Sequence, residues 1–159
     1  MLEGTFSDEY GDWPAGTYLL NPEGFTHAPF SLAGCVLFVK LRQYAGARTR
    51  LAVETSTLAW EATDQPGVTR KVLYGAAEFT DRMSLQRWEA GNEERVLPNG
   101  GGIELLVLSG EGRWLPDTPR GDEPGGGPGT WFRFPAGIAP RFIAPKGCEL
   151  YVKQGHLTG

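Results

Sequence analysis

The sequence is poor in the residues that build metal centres and nucleophilic active sites. Its 159 residues include two histidines, His27 and His156, and two cysteines, Cys35 and Cys148. No cluster of these residues has the spacing of a structural zinc site, and no serine stands in the Gly-x-Ser-x-Gly turn of a hydrolase. These absences argue against a structural zinc site and against catalysis by a Ser–His–Asp triad.

The sequence also lacks an excess of positive charge and a long apolar run. Its net charge is −4, so no basic stripe is available to neutralise the phosphates of a nucleic acid. No apolar run approaches the roughly 20 residues of a membrane-spanning helix. The first residues, MLEGTFSDEYGDW, are acidic and lack the apolar segment of a signal peptide. We therefore expect no nucleic-acid partner, no membrane partner and a cytoplasmic location.

Long segments with helical periodicity are scarce, whereas turn-forming residues are abundant. The chain contains 23 glycines and 12 prolines. Between them lie short apolar or alternating segments that are typical of strands. One of these is the segment CVLFVKLR, which predicts a strand over residues 35–42. The pattern predicts an all-β sandwich or barrel.

A segment of the sequence occurs twice. Residues 16–40, GTYLLNPEGFTHAPFSLAGCVLFVK, align without a gap with residues 129–153, GTWFRFPAGIAPRFIAPKGCELYVK. Just upstream, residues 2–4 (LEG) align with residues 108–110 (LSG). Self-similarity of this kind indicates that one structural unit is present twice.

The first copy of the unit is shorter than the second. In the alignment Met1 stands opposite Val107, which lies inside an apolar, strand-like run. We therefore predict a partial first unit over residues 1–57, containing only the second half of a unit, and a complete unit over residues 58–159.

A half unit of a β-barrel would leave an open sheet edge, which invites pairing with another strand. Three arrangements would satisfy that edge. The first unit could extend the sheets of the complete unit, or two chains could join as a homodimer through this edge. Alternatively, the true start lies upstream and the longer protein has two full units. We expect a homodimer.

The segment Gly16-x5-Pro22-x-Gly24-x2-His27 fits the spacing of the second signature motif of the cupin superfamily. The wider segment over residues 2–43 resembles the ChrR-type cupins, which include the C-terminal domain of an anti-sigma factor and related two-cupin proteins. The resemblance implies a cupin jelly roll: one complete unit plus the C-terminal half of a second. In that family the motif histidine, two further histidines and a glutamate hold a divalent metal.

The metal ligands that this resemblance implies are mostly replaced in the second copy. Its first motif has the family spacing, but Leu97 and Asn99 stand at the two histidine positions, and only Glu104 is kept. The histidine of its second motif is Pro140, followed by Arg141. We expect these five residues to line the pocket. One hypothesis is that a Glu104–Arg141 ion pair replaces the metal. The alternative is that Arg141 points to solvent and that Glu104 is protonated or bonded to water.

The first copy keeps the motif histidine but not its partners. His27 could bind zinc or iron only if further ligands came from outside this chain, because Asp8 and Glu9 do not stand at family positions. We therefore expect a ChrR-like module without a cofactor, non-catalytic, with a degenerate metal site and a small-molecule or regulatory role. The alternative is a metal-dependent dioxygenase resembling the acetylacetone-cleaving cupins, with its metal at His27. A third possibility is the structural half of a larger assembly.

Overall fold

The structure is a computed structural model that describes residues 1–42, 46–95, 100–115 and 125–157, and within 92–95 the backbone alone. These residues form fifteen β-strands and one short 3-10 helix at Thr55–Thr57, and none of them lies in an α-helix. The prediction of an all-β fold is confirmed. In the described part of the chain, no helix is long and apolar enough to cross a membrane.

The chain divides into two compact units, Met1–Leu58 and Ala59–Gly159. The division falls one residue after the boundary that the repeat predicts. Each unit builds its own antiparallel sheets.

The second unit is a sandwich of two antiparallel sheets. The larger sheet has the strand order β13-β10-β15-β8-β7-β6, and the smaller sheet has the order β12-β11-β14-β9. The strands of this unit are β6 Glu61–Ala62, β7 Val68–Gly75, β8 Arg82–Trp88, β9 Asn92–Arg95, β10 Ile103–Gly110, β11 Gly112–Leu115, β12 Gly125–Gly126, β13 Trp131–Phe134, β14 Arg141–Ala144 and β15 Cys148–Gln154.

The space between these two sheets is filled by apolar side chains. Because successive side chains of a strand point to opposite faces, alternate residues of each strand face this core. Phe142 of the smaller sheet is fully buried, and its ring packs edge-on against Phe132 at 5.3 Å and Trp88 at 5.5 Å. Aromatic pairs of this geometry add to the free energy gained from burial. The interior of the second unit is therefore a packed core.

The first unit contains two small antiparallel sheets. One has the order β2-β1-β4 and the other pairs β3 with β5. Its strands are β1 Glu3–Asp8, β2 Gly11–Pro14, β3 Thr17–Leu20, β4 Cys35–Val36 and β5 Leu51–Glu54. Leu20 is fully buried and Phe6 is nearly so.

The sequence repeat is visible in the backbone hydrogen bonds of the two units. The amine of Met1 donates to the carbonyl oxygen of Thr17 at 2.8 Å. At the equivalent positions the N–H of Val107 donates to the carbonyl oxygen of Thr130 at 2.9 Å. The two sequence copies therefore share local structure.

Two glycines at equivalent positions of the repeat have the same structural role. Gly4 and Gly110 both have a positive φ, of +70° and +75°. A Cβ atom at Gly4 would collide with the carbonyl oxygen of Gly34, and one at Gly110 with that of Gly147. Glycine is therefore required at both positions by backbone conformation and by close approach of a neighbouring strand.

The strand predicted over residues 35–42 is much shorter in the structure. Only Cys35–Val36 forms β4, which pairs with β1 along one side. The equivalent strand of the second unit, β15, runs over Cys148–Gln154 and lies between β10 and β8. The predicted length was wrong because a strand needs ladder partners along its whole length, and β4 has one over two residues.

Candidate functional site

A buried carboxylate organises the first unit. Asp8 ends β1, and its side chain is inaccessible to solvent. Its Oδ1 atom accepts hydrogen bonds from the indole Nε1 of Trp13 and the backbone N–H of Tyr10, each at 3.0 Å. Both donors belong to the turn and strand that follow β1, because β2 folds back directly on it. The other oxygen, Oδ2, lies 3.0 Å from Nδ1 of His27.

These contacts determine the charge of Asp8. Burial by itself raises the pKa of the carboxyl group, because it penalises the charged form. The hydrogen bonds from His27, Trp13 and the Tyr10 N–H, together with the positive charge of Arg50, outweigh burial, and the pKa of Asp8 lies below its ordinary value. Asp8 is therefore a carboxylate at neutral pH.

His27 is brought to Asp8 by a tight turn. The N–H of Phe25 donates to the carbonyl oxygen of Pro22 at 3.1 Å. Gly24, at the third position of this turn, has a φ of +81°, which glycine adopts without strain. The turn directs the chain back toward β1, and His27 follows two residues later.

The ring of His27 is held on several sides. The backbone N–H of the next residue, Ala28, donates to Oε2 of Glu9 at 2.9 Å. The rings of Phe25 and Phe6 lie 5.5 and 5.8 Å from the imidazole. A neutral imidazole whose Nδ1 faces a carboxylate carries its proton there, which leaves Nε2 as an acceptor. About a quarter of the His27 side chain is exposed to solvent.

Arg50, just before β5, lies among three aromatic rings. Its guanidinium carbon is 4.8 Å from the ring centre of Tyr10 and 5.1 Å from those of Trp13 and Phe25. Its Nη2 atom is 3.8 Å from Oδ2 of Asp8. Among the described residues, its buried Nε and Nη2 atoms have no hydrogen-bond acceptor. We call Arg50, Asp8, His27 and the three rings the Arg50 cluster.

The donor set around His27 does not fit a divalent metal. A zinc or iron site usually takes about three protein ligands. Within the described ranges, no three histidine, cysteine, aspartate or glutamate residues are placed to hold a metal ion. Both oxygens of Asp8 already have donors, and one oxygen of Glu9 accepts from the Ala28 N–H. Among the described residues, the remaining candidate metal ligand at this position is the Nε2 atom of His27.

The structure places Glu104 away from the core. It lies on β10 between Ile103 and Leu105, which both belong to the core cluster, so its side chain points to the opposite face of the larger sheet. There it is buried, with its carboxylate 2.9 Å from Nε2 of His156 and 3.4 Å from Nε of Arg133. The side chain of His156 is 8% exposed. Glu104 therefore does not face the interior pocket in which the sequence predicted it.

Arg141 lies in the other sheet. It precedes Phe142 on β14, and since Phe142 and Ala144 face the core, the side chain of Arg141 points away from it. The two side chains therefore point away from the core on opposite sheets, which does not favour the Glu104–Arg141 pair predicted from the sequence. Pro140 is buried directly before this strand.

The remaining pocket residues of the sequence analysis, Leu97 and Asn99, lie outside the described residues. The reason for the different position of Glu104 is the run IELLVL, which is apolar at both alternating positions. A shift of one residue in a strand exchanges its two faces, so this run does not specify which face carries the carboxylate.

Sequence reasoning missed the roles of Asp8 and Arg50, although the repeat contained a signal for the first. Continuing the alignment of residues 2–4 with 108–110 places Asp8 opposite Trp114, and His27 stands opposite Pro140. Trp114 packs against the core of the second unit. The polar contact of the first unit is thus replaced by two apolar residues in the second. The repeat alignment does not reach Arg50.

Comparison with known families gives one match. Residues 1–45 match the family model of the ChrR Cupin-like domain. No curated protein matches the chain significantly.

Solved structures resemble the chain in fold. An RmlC-like cupin from Shewanella frigidimarina aligns with a TM-score of 0.53 and 18% identity, covering 64% of this chain and 86% of that one. A polyketide cyclase from Streptomyces resistomycificus aligns with a TM-score of 0.51 and 20% identity, covering 64% and 75%. A salicylate 1,2-dioxygenase from Pseudoaminobacter salicylatoxidans aligns with a TM-score of 0.47 and 21% identity, covering 60% of this chain and 27% of that one. The first two show that the fold is the cupin jelly roll, which confirms the predicted class.

Proposed function

We propose that this cupin-superfamily chain, with a ChrR Cupin-like domain at residues 1–45, is a non-catalytic module that binds a small organic molecule. The ligand class that we propose is a carboxylate with an apolar body. Its site is the Arg50 cluster of the first unit. Binding without turnover is the property of a regulatory or sensing module.

The unused hydrogen-bond donors of Arg50 are the observation that carries this proposal. A guanidinium presents a planar fork of donors that matches a carboxylate. The three rings around it fix its position and offer apolar surface to a ligand. A quarter of the Arg50 side chain is exposed, whereas its Nε and Nη2 atoms are buried, so a ligand has to displace part of the surrounding rings to reach these two donors. Asp8 meets only part of this donor capacity, because its nearest oxygen is 3.8 Å from Nη2.

Two further observations support a non-catalytic role. The interior of the second unit, where cupin metal sites are expected from the sequence resemblance, is filled by aromatic and aliphatic side chains. Around His27 the described donors are too few for a metal ion. We therefore propose that the metal site is degenerate and that no metal cofactor is required.

One observation favours the alternative of a metal-dependent dioxygenase. Histidines that bind metals commonly donate their other ring N–H to a carboxylate, and Asp8 stands in that relation to His27. The missing ligands would have to come from outside the described residues, for instance from a second subunit. The metal content of the protein separates the two candidates.

The binding proposal is tested by isothermal titration calorimetry with benzoate, using benzyl alcohol as the uncharged analogue. We expect benzoate to bind and benzyl alcohol not to bind. Because a hydrogen-bonded charge pair contributes about 1.5–3 kcal/mol, R50M should weaken benzoate binding by about tenfold or more.

The matched control is R70M, because Arg70 lies in the second unit and forms an exposed pair with Glu61. It should bind benzoate as the wild type does. Circular dichroism confirms that both variants fold. The proposal fails if the folded wild type binds no benzoate, or if R50M and R70M bind it equally.

A further inference from the structure

The donors of Arg50 that the proposed ligand needs are closed off from solvent in this structure. A quarter of the Arg50 side chain is exposed, but its Nε and Nη2 atoms are buried. The ring centres of Tyr10, Trp13 and Phe25 lie 4.8, 5.1 and 5.1 Å from the guanidinium carbon. A ligand therefore reaches these donors after a ring has moved, and the three rings differ in how firmly they are held.

Two of the three rings are held in place. The indole Nε1 of Trp13 donates to Oδ1 of Asp8 at 3.0 Å, and Trp13 is paired with Phe6 across β1 and β2. The ring of Phe25 packs against the imidazole of His27 at 5.5 Å. Both rings are half-buried. Moving Trp13 would leave a buried carboxylate without one of its donors, and moving Phe25 would remove a neighbour of His27.

Tyr10 is held less firmly than the other two rings. It is 52% exposed and lies with Glu9 in the two-residue turn between β1 and β2. Its ring packs on the guanidinium of Arg50, at the shortest of the three distances, and on the ring of Phe25 at 5.1 Å. One side of the Tyr10 ring therefore covers Arg50, while much of the rest already faces solvent.

The turn that carries Tyr10 is itself fixed. The backbone N–H of Tyr10 donates to Oδ1 of Asp8 at 3.0 Å, and Asp8 is paired with Gly11 across the turn. The Tyr10 side chain can therefore rotate about its Cα–Cβ bond while the backbone of the turn stays in place. Exposed side chains change rotamer within nanoseconds, so this movement does not require the loop to open.

We propose that Tyr10 is a gate, whose ring covers the donors of Arg50 in the closed state and swings into solvent to admit a ligand. The gate controls entry to the ligand site and in this respect rests on the proposed function. In opening, the Tyr10 ring gives up one cation–π contact and one contact with an aromatic ring. The affinity that a ligand shows is reduced by the fraction of molecules that are closed.

The test is the labelling of Arg50 by phenylglyoxal, an uncharged reagent for guanidinium groups, in the 159-residue chain. Peptide mass spectrometry gives the rate at Arg50, and Arg133, which is 57% exposed in the second unit, is the internal reference. Because a minor open state is typically populated at about 0.1–10%, Y10A should label Arg50 about tenfold faster than the wild type or more. The rate at Arg133 should not change.

Three further variants identify the ring as the cause. Y10F keeps the ring and should label Arg50 as slowly as the wild type. Y10N removes the ring but has a side chain that suits a turn, so it should label as fast as Y10A and replaces it if Y10A folds poorly. The matched control is Y74A, because Tyr74 is a half-buried tyrosine of the second unit; it should label at the wild-type rate. Amide exchange of residues 10 and 11 in Y10N should match the wild type, because the turn stays intact.

The outcomes separate the gate from the ligand class. Folded Y10A and Y10N that label Arg50 at the wild-type rate overturn the gate, and so does a Y10F that labels as fast as Y10A. Benzoate should protect Arg50 from labelling in Y10A. If both variants without the ring label fast but benzoate protects neither, the gate is supported and the proposed carboxylate ligand is wrong.

Discussion

Nδ1 of His27 lies 3.0 Å from Oδ2 of Asp8, and the residues at the equivalent positions of the second unit are Trp114 and Pro140. Both members of this polar pair are thus replaced by apolar residues in the other copy. A buried carboxylate is stable only when its oxygens are hydrogen-bonded. The pair therefore behaves as one unit: present together in the first copy and absent together in the second.

This relationship predicts energetic coupling between Asp8 and His27. D8A should lower the free energy of unfolding by about 2 kcal/mol, because it leaves three partly buried donors without their acceptor. H27A should cost about 1 kcal/mol, and the double variant should cost less than the sum, with a coupling of about 1 kcal/mol. Urea unfolding of the four proteins measures this cycle. E3A, an exposed carboxylate on the same strand, is the control and should change stability by about 0.5 kcal/mol or less. Strict additivity would contradict the pairing.

Acid should destabilise the wild type more than it destabilises D8N. The folded state holds the pKa of Asp8 below its ordinary value, so the unfolded state binds more protons over that pH range. The stability that Asp8 contributes is therefore fully present above the unfolded-state pKa, and it is lost as the pH falls through the folded-state pKa. Urea midpoints at neutral pH and at about pH 3 measure the loss. If the urea midpoint fell by the same amount in the wild type and in D8N, Asp8 would not make this contribution to stability.

The buried Glu104–His156 contact should matter more than an exposed ion pair. E104Q removes the charge that faces His156 and Arg133 and should lower the free energy of unfolding by about 2 kcal/mol, because a buried group loses its partner. The matched control is E149Q, whose glutamate forms a more exposed pair with Arg87 and should cost about 0.5 kcal/mol. Thermal or urea unfolding compares them. Equal costs would mean that the buried pair contributes no more than the surface pair.

The two cysteines should differ in reactivity, although they are equivalent in the repeat. Burial raises the pKa of the Cys148 thiol to about 12, so the reactive thiolate is rare at neutral pH. Cys35 is free and partly exposed. Iodoacetamide should modify Cys35 in the folded protein and both cysteines after unfolding, as peptide mass spectrometry would show. Labelling of Cys148 at the rate of Cys35 would contradict the burial of β15.

The sequence specified the fold better than the site. Several features could be predicted because they are local sequence patterns that occur in both copies of the repeat. They are the glycines Gly4 and Gly110, the turn that begins at Pro22, and the strands that begin with a cysteine. The face of the sheet on which Glu104 lies could not be predicted, because IELLVL is apolar at both alternating positions. The length of β4 also could not be predicted, because it depends on neighbouring strands rather than on its own residues.

The Arg50 cluster was missed for a different reason. Its members come from three separate segments of the first unit, residues 8–13, residues 25–27 and residue 50, and long-range packing alone brings Arg50 to Tyr10, Trp13 and Phe25. Single-sequence patterns do not report such contacts. Asp8 could have been found, because the alignment already placed it opposite Trp114.

The metal content of the purified 159-residue chain tests the central claim most directly. If this chain is a non-catalytic binding module, elemental analysis should find zinc, iron, manganese and nickel well below one ion per chain, and H27A should leave those values unchanged. Stoichiometric zinc or iron that disappears in H27A would contradict the account and favour the dioxygenase alternative.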